Sequence, residues 1–179
     1  MEFLKLIEER RSIRDYKEGV SIAREDIEKM IYAAQQAPSW KNSETGRYYA
    51  VISKDAVNKV REECLPSFNY DRTANAAGFI VSAFKRGVSG FKPDGDKTDE
   101  HGNGWGAYDL GLQTQNLLLC AKELGYDTLI MGLRREAELR AILGIPDDEA
   151  LMSVIAIGKR AADPEKPARL PISEIVKFF

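Results

Sequence analysis

Arg10-Arg11-Ser12-Ile13-Arg14-Asp15-Tyr16 sets three arginines and a serine within five positions of a chain whose formal net charge is -2. A guanidinium offers five donors in a rigid fork and stays charged at any working pH, and a neighbouring hydroxyl adds a donor that swivels. That combination suits the oxygens of a phosphate, so the run is read as the grip on an anionic cofactor. A second reading stands beside it: arginines in the last turn of a helix complement its dipole and can form a solvated face. Because the chain as a whole is slightly acidic, the cationic cluster is local, and general attraction to nucleic acid is not expected.

Working outward, residues 2–11 read as a helix with Phe3, Leu4 and Ile7 on one face. Downstream, Gly19 breaks the chain and a helix opens near Ser21. Glu25 and Asp26 lie in its first turn, and Ile27, Met30, Ile31 and Ala34 point inward. It stops at Ala37-Pro38, since proline disfavours helical backbone in the residue before it. Pro38-Ser39-Trp40-Lys41-Asn42-Ser43 is then a short polar loop. Strands are predicted over 48–53, 78–84, 128–131 and 151–158, the last an apolar run that belongs inside a sheet covered on both faces. Helices are predicted over 55–64, 107–124 and 136–143, the last two closed by Gly125 and Gly144. The first buries Val57, Val60 and Cys64. The second repeats Leu110, Gly111, Thr114, Leu117, Leu118 and Ala121 at helical spacing, and its extra leucines suit a helix covered on several sides, by its own domain or a second subunit.

Three stretches read differently. Residues 66–75 look irregular. Residues 85–104 are rich in glycine and charge, and a connection of that length is a lid or arm, or simply a surface excursion. Residues 159–179 read as an extended C-terminal arm whose apolar end docks on a partner subunit or on its own chain.

The totals set bounds. A chain of 179 residues with 44% hydrophobic and 30% charged residues is expected to form a single domain, 1–179, with an ordinary core. Cys64 and Cys120 stand far apart in no metal-ligand spacing, and His101 is the sole histidine, so no metal site is expected. No run approaches the ~20 apolar residues of a membrane span. Residues 1–10 hold three glutamates and no apolar run of signal-peptide length, so a cytoplasmic protein with reduced thiols is expected. Gly102-Asn103-Gly104-Trp105-Gly106-Ala107 matches the letters of a dinucleotide fingerprint, but polar residues precede it where that motif needs a buried strand.

Three stretches together carry a family resemblance. The 10–16 run resembles the opening RRSxRxF/Y motif of the nitroreductase family of flavin enzymes. Ala37-Pro38-Ser39-Trp40-Lys41-Asn42-Ser43 is similar to that family's APSxxN loop, and Arg169-Leu170-Pro171 to its C-terminal arginine. The resemblance implies an α+β fold with a central, mostly antiparallel sheet flanked by helices. It also implies an intertwined homodimer holding two FMN at its interface. NADH or NADPH would be the electron donor in a ping-pong reduction of small acceptors such as nitroaromatics or quinones. Alternatives within the fold are dehalogenation, flavin degradation or non-catalytic flavin storage.

By the same resemblance, Arg10, Arg11 and Ser12 meet the FMN phosphate and ribityl chain, with Arg169 and Lys166 closing on the phosphate. Arg14 sits at the ring edge and tunes it. Pro38, Ser39, Trp40 and Asn42 line the ring from the other subunit, and the backbone of Met131 or Gly132 meets N5. No side chain is implied as acid or base, because the flavin carries the chemistry. The family often shows Gln-Pro-Trp where this chain reads Glu44-Thr45-Gly46, which leaves the acceptor open.

Overall fold

The computed structural model describes residues 2–179. Its spine is a four-stranded sheet in the order β1-β2-β4-β3, antiparallel throughout: β1 Gly46–Val51, β2 Gly78–Lys85, β3 Asp127–Met131 and β4 Glu149–Gly158. The helices are α1 Phe3–Glu9, α2 Arg24–Gln35, α3 Lys54–Cys64, α4 Ser67–Arg72, α5 Gly104–Glu123, α6 Glu136–Leu143 and the single turn α7 Ile172–Ile175. The architecture is therefore α+β, as expected.

The alternation of side chains along a strand makes two cores from one sheet. Phe79 and Val81 of β2, with Val154 and Ala156 of β4, face one side, where Val57, Val60 and Cys64 of α3 and Leu139 of α6 complete the layer. Ile80, Ile155 and Ile157 face the other, against Ile27, Met30 and Ala34 of α2 and Leu117, Leu118 and Ala121 of α5. The apolar runs GFIVSAF and LMSVIAIG are thus central strands covered on both faces. A bulge between Ser82 and Ala83 shifts the β2–β4 register and leaves Ser82 and Ser153 paired, hydroxyl to hydroxyl, at 2.8 Å.

The helix ends follow their sequence signals. Ser53 caps α3 through its hydroxyl on the Ala56 N–H. Gly125, at φ 84°, ends α5 in a Schellman arrangement, its N–H on Lys122 O and that of Tyr126 on Ala121 O. Gly144 caps α6 in the left-handed region at φ 65°.

Several expectations need correcting. Residues 66–75 are not irregular. They contain α4, whose Asn69 is buried and donates to Leu133 O at 2.9 Å while Thr73 bonds back to Asn69 O. Tertiary bonding, with Arg61 laid over the Tyr70 ring at 3.7 Å, overrides the poor helix propensity of Ser, Asn, Tyr and Asp there. In α1 the inward residue is Leu6; Phe3, Leu4 and Ile7 are exposed. Gly111 of α5 is likewise open rather than buried, and β1 starts two residues earlier than predicted. The arm beyond Arg160 touches little of its own chain: Leu170, Ile172, Ile175, Phe178 and Phe179 are all exposed. The 86–103 segment has some order of its own, a bridge between Phe91 and Lys97, with Thr98 bonded to Gly90 O through both its N–H and its hydroxyl. Among the described residues no helix is long and apolar enough to cross a membrane, and no cluster of three potential metal ligands occurs.

Candidate functional site

The 10–16 run does leave the first helix, at Arg10, and lies extended along the open edge of the sheet. Ser12 pairs in parallel with Thr128, Ile13 N–H donates to Thr128 O at 3.0 Å, and Tyr16 bridges Arg160. Ile13 and Tyr16 are almost fully buried, the Tyr16 ring resting so close on Gly158 that a Cβ there would stand 2.6 Å from it. These two anchors fix the register of the run. Ser12 and Arg10 are left half-buried and Arg14 exposed, its guanidinium donating to Ser12 O at 3.2 Å.

The charges around Arg10 are unusual. Burial, then the nearby Arg11 and Arg169 guanidinium groups, hold its pKa below arginine's ordinary value. Among the described residues none of Arg10, Arg11, Arg14 and Arg169 forms an ion pair with a carboxylate; Arg11 bonds Glu8 O and Arg10 O, and Arg169 the carbonyls of Pro167 and Ala168. Cations from opposite ends of the chain thus act on Arg10, while Glu9 and Asp163 share a pocket with Arg11 without forming an ion pair to it. Lys166 is exposed on the same arm. The arm's root is held by Arg160, which bonds the buried Asp127 carboxylate at 2.5 Å, with Lys122 at 3.6 Å. Burial alone would raise the Asp127 pKa, but the bonds from Arg160 and the two cations outweigh it, and the net shift is downward.

Met131 and Gly132 sit where β3 ends. Met131 is buried and Gly132 exposed, its carbonyl taken by Arg134 at 2.7 Å. Thr128 and Met131 are three residues apart on one strand, which separates the Ser12 position from the strand end by about 10 Å. Gly132 opens onto a cavity of about 340 Å³ lined also by Gly111, Thr114, Ile130, Met152 and Ser153.

The 38–43 loop lies elsewhere. Trp40 N–H donates to both oxygens of Asp109, at 3.1 and 3.0 Å, and the Trp40 ring packs on Trp105 with centroids 4.7 Å apart. Lys41, Asn42 and Glu44 hold the left-handed conformation at φ 47°, 54° and 47°, costly for residues with a Cβ and typical of functional loops. Ser39 Oγ accepts from Glu44 N–H, and the Asn42 amide donates to the Glu44 carboxylate at 3.1 Å. Pro38 is exposed beside them. Thr45 is buried against Ser89, and Gly46 lets β1 approach Gln113, whose Oε1 a Cβ would meet at 2.0 Å. Of the Glu44-Thr45-Gly46 departure, only Glu44 faces outward.

Helix α5 separates the two regions. At about 100° per residue, Ala107, Leu110, Gly111, Thr114 and Leu118 form the stripe toward the cavity, while Trp105, Asp109 and Gln113 form one roughly opposite, toward the loop and β1. Within one chain Arg10, Arg11 and Ser12 adjoin in the run, Arg169 acts on Arg10 through its charge, and Gly132 lines a cavity whose lining does not include Trp40. Sequence reading missed Asp109, Ser89, Asn69 and Arg134. The available signal for Asp109 was a carboxylate inside an otherwise apolar helical pattern.

Beside this, a groove of about 870 Å³ runs between α1, α2 and α5, lined by Phe3, Leu6, Tyr32, Ala33, Leu119 and Cys120. Burial raises the thiol pKa of Cys64, to about 11, and that of Cys120, so neither is a ready nucleophile.

Comparison with known proteins agrees with the resemblance. A protein of Archaeoglobus fulgidus, assigned by name as an NADH dehydrogenase/NAD(P)H nitroreductase, is 32% identical over 162 residues, which cover 88% of this chain and 84% of that one. The iodotyrosine deiodinase of Nematostella vectensis is 26% identical over 200 residues, covering 98% and 74%. A structure described as a nitroreductase of Exiguobacterium sibiricum in complex with FMN has a TM-score of 0.87 at 21% identity, covering 100% of this chain and 98% of that one; at such identity the likeness speaks of fold. The model of the nitroreductase family matches residues 7–159, and the chain belongs to that family.

Proposed function

We propose that this chain is an FMN-dependent NAD(P)H oxidoreductase that reduces small acceptors, nitroaromatic or quinone-like, in ping-pong order, and that it works as a homodimer in the cytoplasm. The observation that carries the proposal is that Arg10 feels the charges of Arg11 and Arg169, while among the described residues no carboxylate is ion-paired to any of the three. Such a set costs stability unless an anion joins it, and guanidinium forks beside a hydroxyl fit a phosphate monoester. The donor set thus fits FMN at its phosphate end.

FMN, when bound, supplies the two-electron chemistry between nicotinamide and acceptor. The chain supplies grip and placement. Arg10, Arg11, Ser12 and Arg169, with Lys166 reaching in, hold the phosphate. Arg14 brings a fixed cation to the ring edge where negative charge gathers on reduction. The exposed backbone at Met131–Gly132 offers a contact at the other end of β3. Pro38, Ser39, Trp40 and Asn42 come from a second copy, because within one chain α5 stands between the 38–43 loop and the cavity. Exposed Phe3, Tyr32, Ile172, Ile175, Phe178 and Phe179 supply apolar surface for that second copy to cover. NADH or NADPH as donor accords with the name of the Archaeoglobus relative.

The test is direct. Freshly purified protein is expected to be yellow, to bleach anaerobically under NADH or NADPH, and to regain colour with menadione or a nitroaromatic, giving parallel double-reciprocal plots. Flavin that stays oxidised under excess nicotinamide defeats the reductase reading. The deiodinase relative favours a second reading, reductive dehalogenation in the same site; halide release from a halophenol under reductant separates the two.

A further inference from the structure

Asp109 is 2% exposed and makes no ion pair among the described residues, yet it joins three segments that are distant in sequence. It accepts from Trp40 N–H with both oxygens and from Ser89 Oγ at 2.7 Å. Ser89 in turn meets Ser43 Oγ at 2.8 Å and Thr45 Oγ1 at 3.4 Å. Above this knot Trp105, one turn before Asp109 on α5, packs on Trp40 and donates its indole N–H to Asp99 at 2.8 Å. Gly90 lies against the same ring: a Cβ there would stand 2.6 Å from Trp105 Cδ1 and 2.5 Å from Gly102 O. A buried carboxylate is retained only with strong donors around it, and here every donor comes from the 38–45 loop or the 86–103 segment. None comes from the cavity face of α5.

We infer that Asp109 is a positioning residue that fastens the 86–103 segment to the loop carrying Trp40, and so fixes where Trp40 stands against the cofactor ring. The second half rests on the reading that Trp40 lines that ring. The two parts of the inference have separate readouts, because Trp40 and Trp105 are the chain's two tryptophans. At 4.7 Å and a 47° tilt they form one coupled pair, whose exciton circular dichroism reports their docking with or without flavin.

The experiment uses full-length protein, flavin-free for the dichroism and titrated with FMN for affinity. Asp109→Ala and Ser89→Ala are expected to lose most of the tryptophan couplet well below their melting midpoints, and to bind FMN about tenfold more weakly. Asp109→Asn is expected to fall between wild type and the alanine variants, since its amide oxygen still accepts from Trp40 N–H and its NH2 donates to a rotated Ser89 hydroxyl, but that NH2 replaces an oxygen that also accepted from Trp40 N–H. Ser89→Ala removes a single oxygen and decides the matter if Asp109→Ala does not fold. A couplet that survives both alanine variants overturns the fastening. A couplet that vanishes while FMN affinity holds overturns the positioning. Wild-type protein that takes up no FMN overturns the cofactor reading and the second half of the inference with it, while the couplet still decides the first.

Discussion

Replacing Arg10 by Gln separates the two readings of the N-terminal run, because one predicts almost no change and the other a gain in the apo protein with a loss in the complex. If the arginines form a solvated face, neutralising one changes little. If they form an anion cradle, the apo protein gains and the complex loses. The folded pKa of Arg10 lies below its unfolded value, so the charged side chain costs the fold stability at every pH below that folded value, which includes all working pH. Because Arg10 is only half-buried, the repulsion from Arg11 and Arg169 is screened, and its removal should stabilise by about 0.5 kcal/mol, in the range of partly exposed charge pairs. For a chain of this length that raises the apo melting midpoint by about 1–2 °C. The complex forfeits a charge-assisted bond to phosphate, about 1.5–3 kcal/mol, so FMN affinity falls roughly 10- to 100-fold. The assay is a thermal melt of flavin-free protein in phosphate-free buffer beside an FMN titration by fluorescence quenching. Wild type should also be stabilised by phosphate more than the variant is. An Arg10→Gln protein that melts lower in the apo state and binds FMN as well as wild type would show that Arg10 is structural and refute the reasoning.

Other outcomes follow from single contacts. The folded pKa of Asp127 is depressed, so its pairing with Arg160 contributes stability above the ordinary carboxylate range, near pH 4, and loses it as pH falls through the lower folded value. Asp127→Asn should therefore cost on the order of 3 kcal/mol at pH 7 and far less near pH 2, measured by urea unfolding at both; an equal loss at the two would remove the charge from the account. Gly106→Ala, ordinarily a gain inside a helix, should instead destabilise by about 1–3 kcal/mol, because a Cβ there would meet the buried Phe84 ring at 2.4 Å; a raised melting midpoint would contradict that packing. Truncation after Ala162 should convert a dimer to a monomer by light scattering and expose the groove beside α5 to an apolar dye; a wild-type chain already monomeric at micromolar concentration would sink the dimer.

Much of the fold was legible because local and long-range signals agree in it. Continuous apolar strands, glycines where helices close and Pro38 after α2 all mark local choices that the tertiary structure keeps. The reading failed where a residue's environment is made by distant chain. Ser67–Arg72 carries no helical periodicity of its own, and Asn69 and Arg61 fix it through contacts to Leu133 and Tyr70. Phe3, Leu4 and Ile7 form an apolar face that the described residues leave exposed, so the pattern marks the face without marking what would cover it. The candidate site divides along the same line. The cationic run announces itself by composition, since three arginines together need no structure to be noticed. Asp109 does not: a single carboxylate within α5 looks like an interruption of the apolar stripe, and only the fold shows that on the opposite stripe Trp105 and Asp109 hold the 38–45 loop and Gln113 holds Tyr48 of β1. A helix that serves a sheet on one side and a loop on the other needs apolar and polar residues on two faces, and that division weakens the periodic signal by which such helices are recognised.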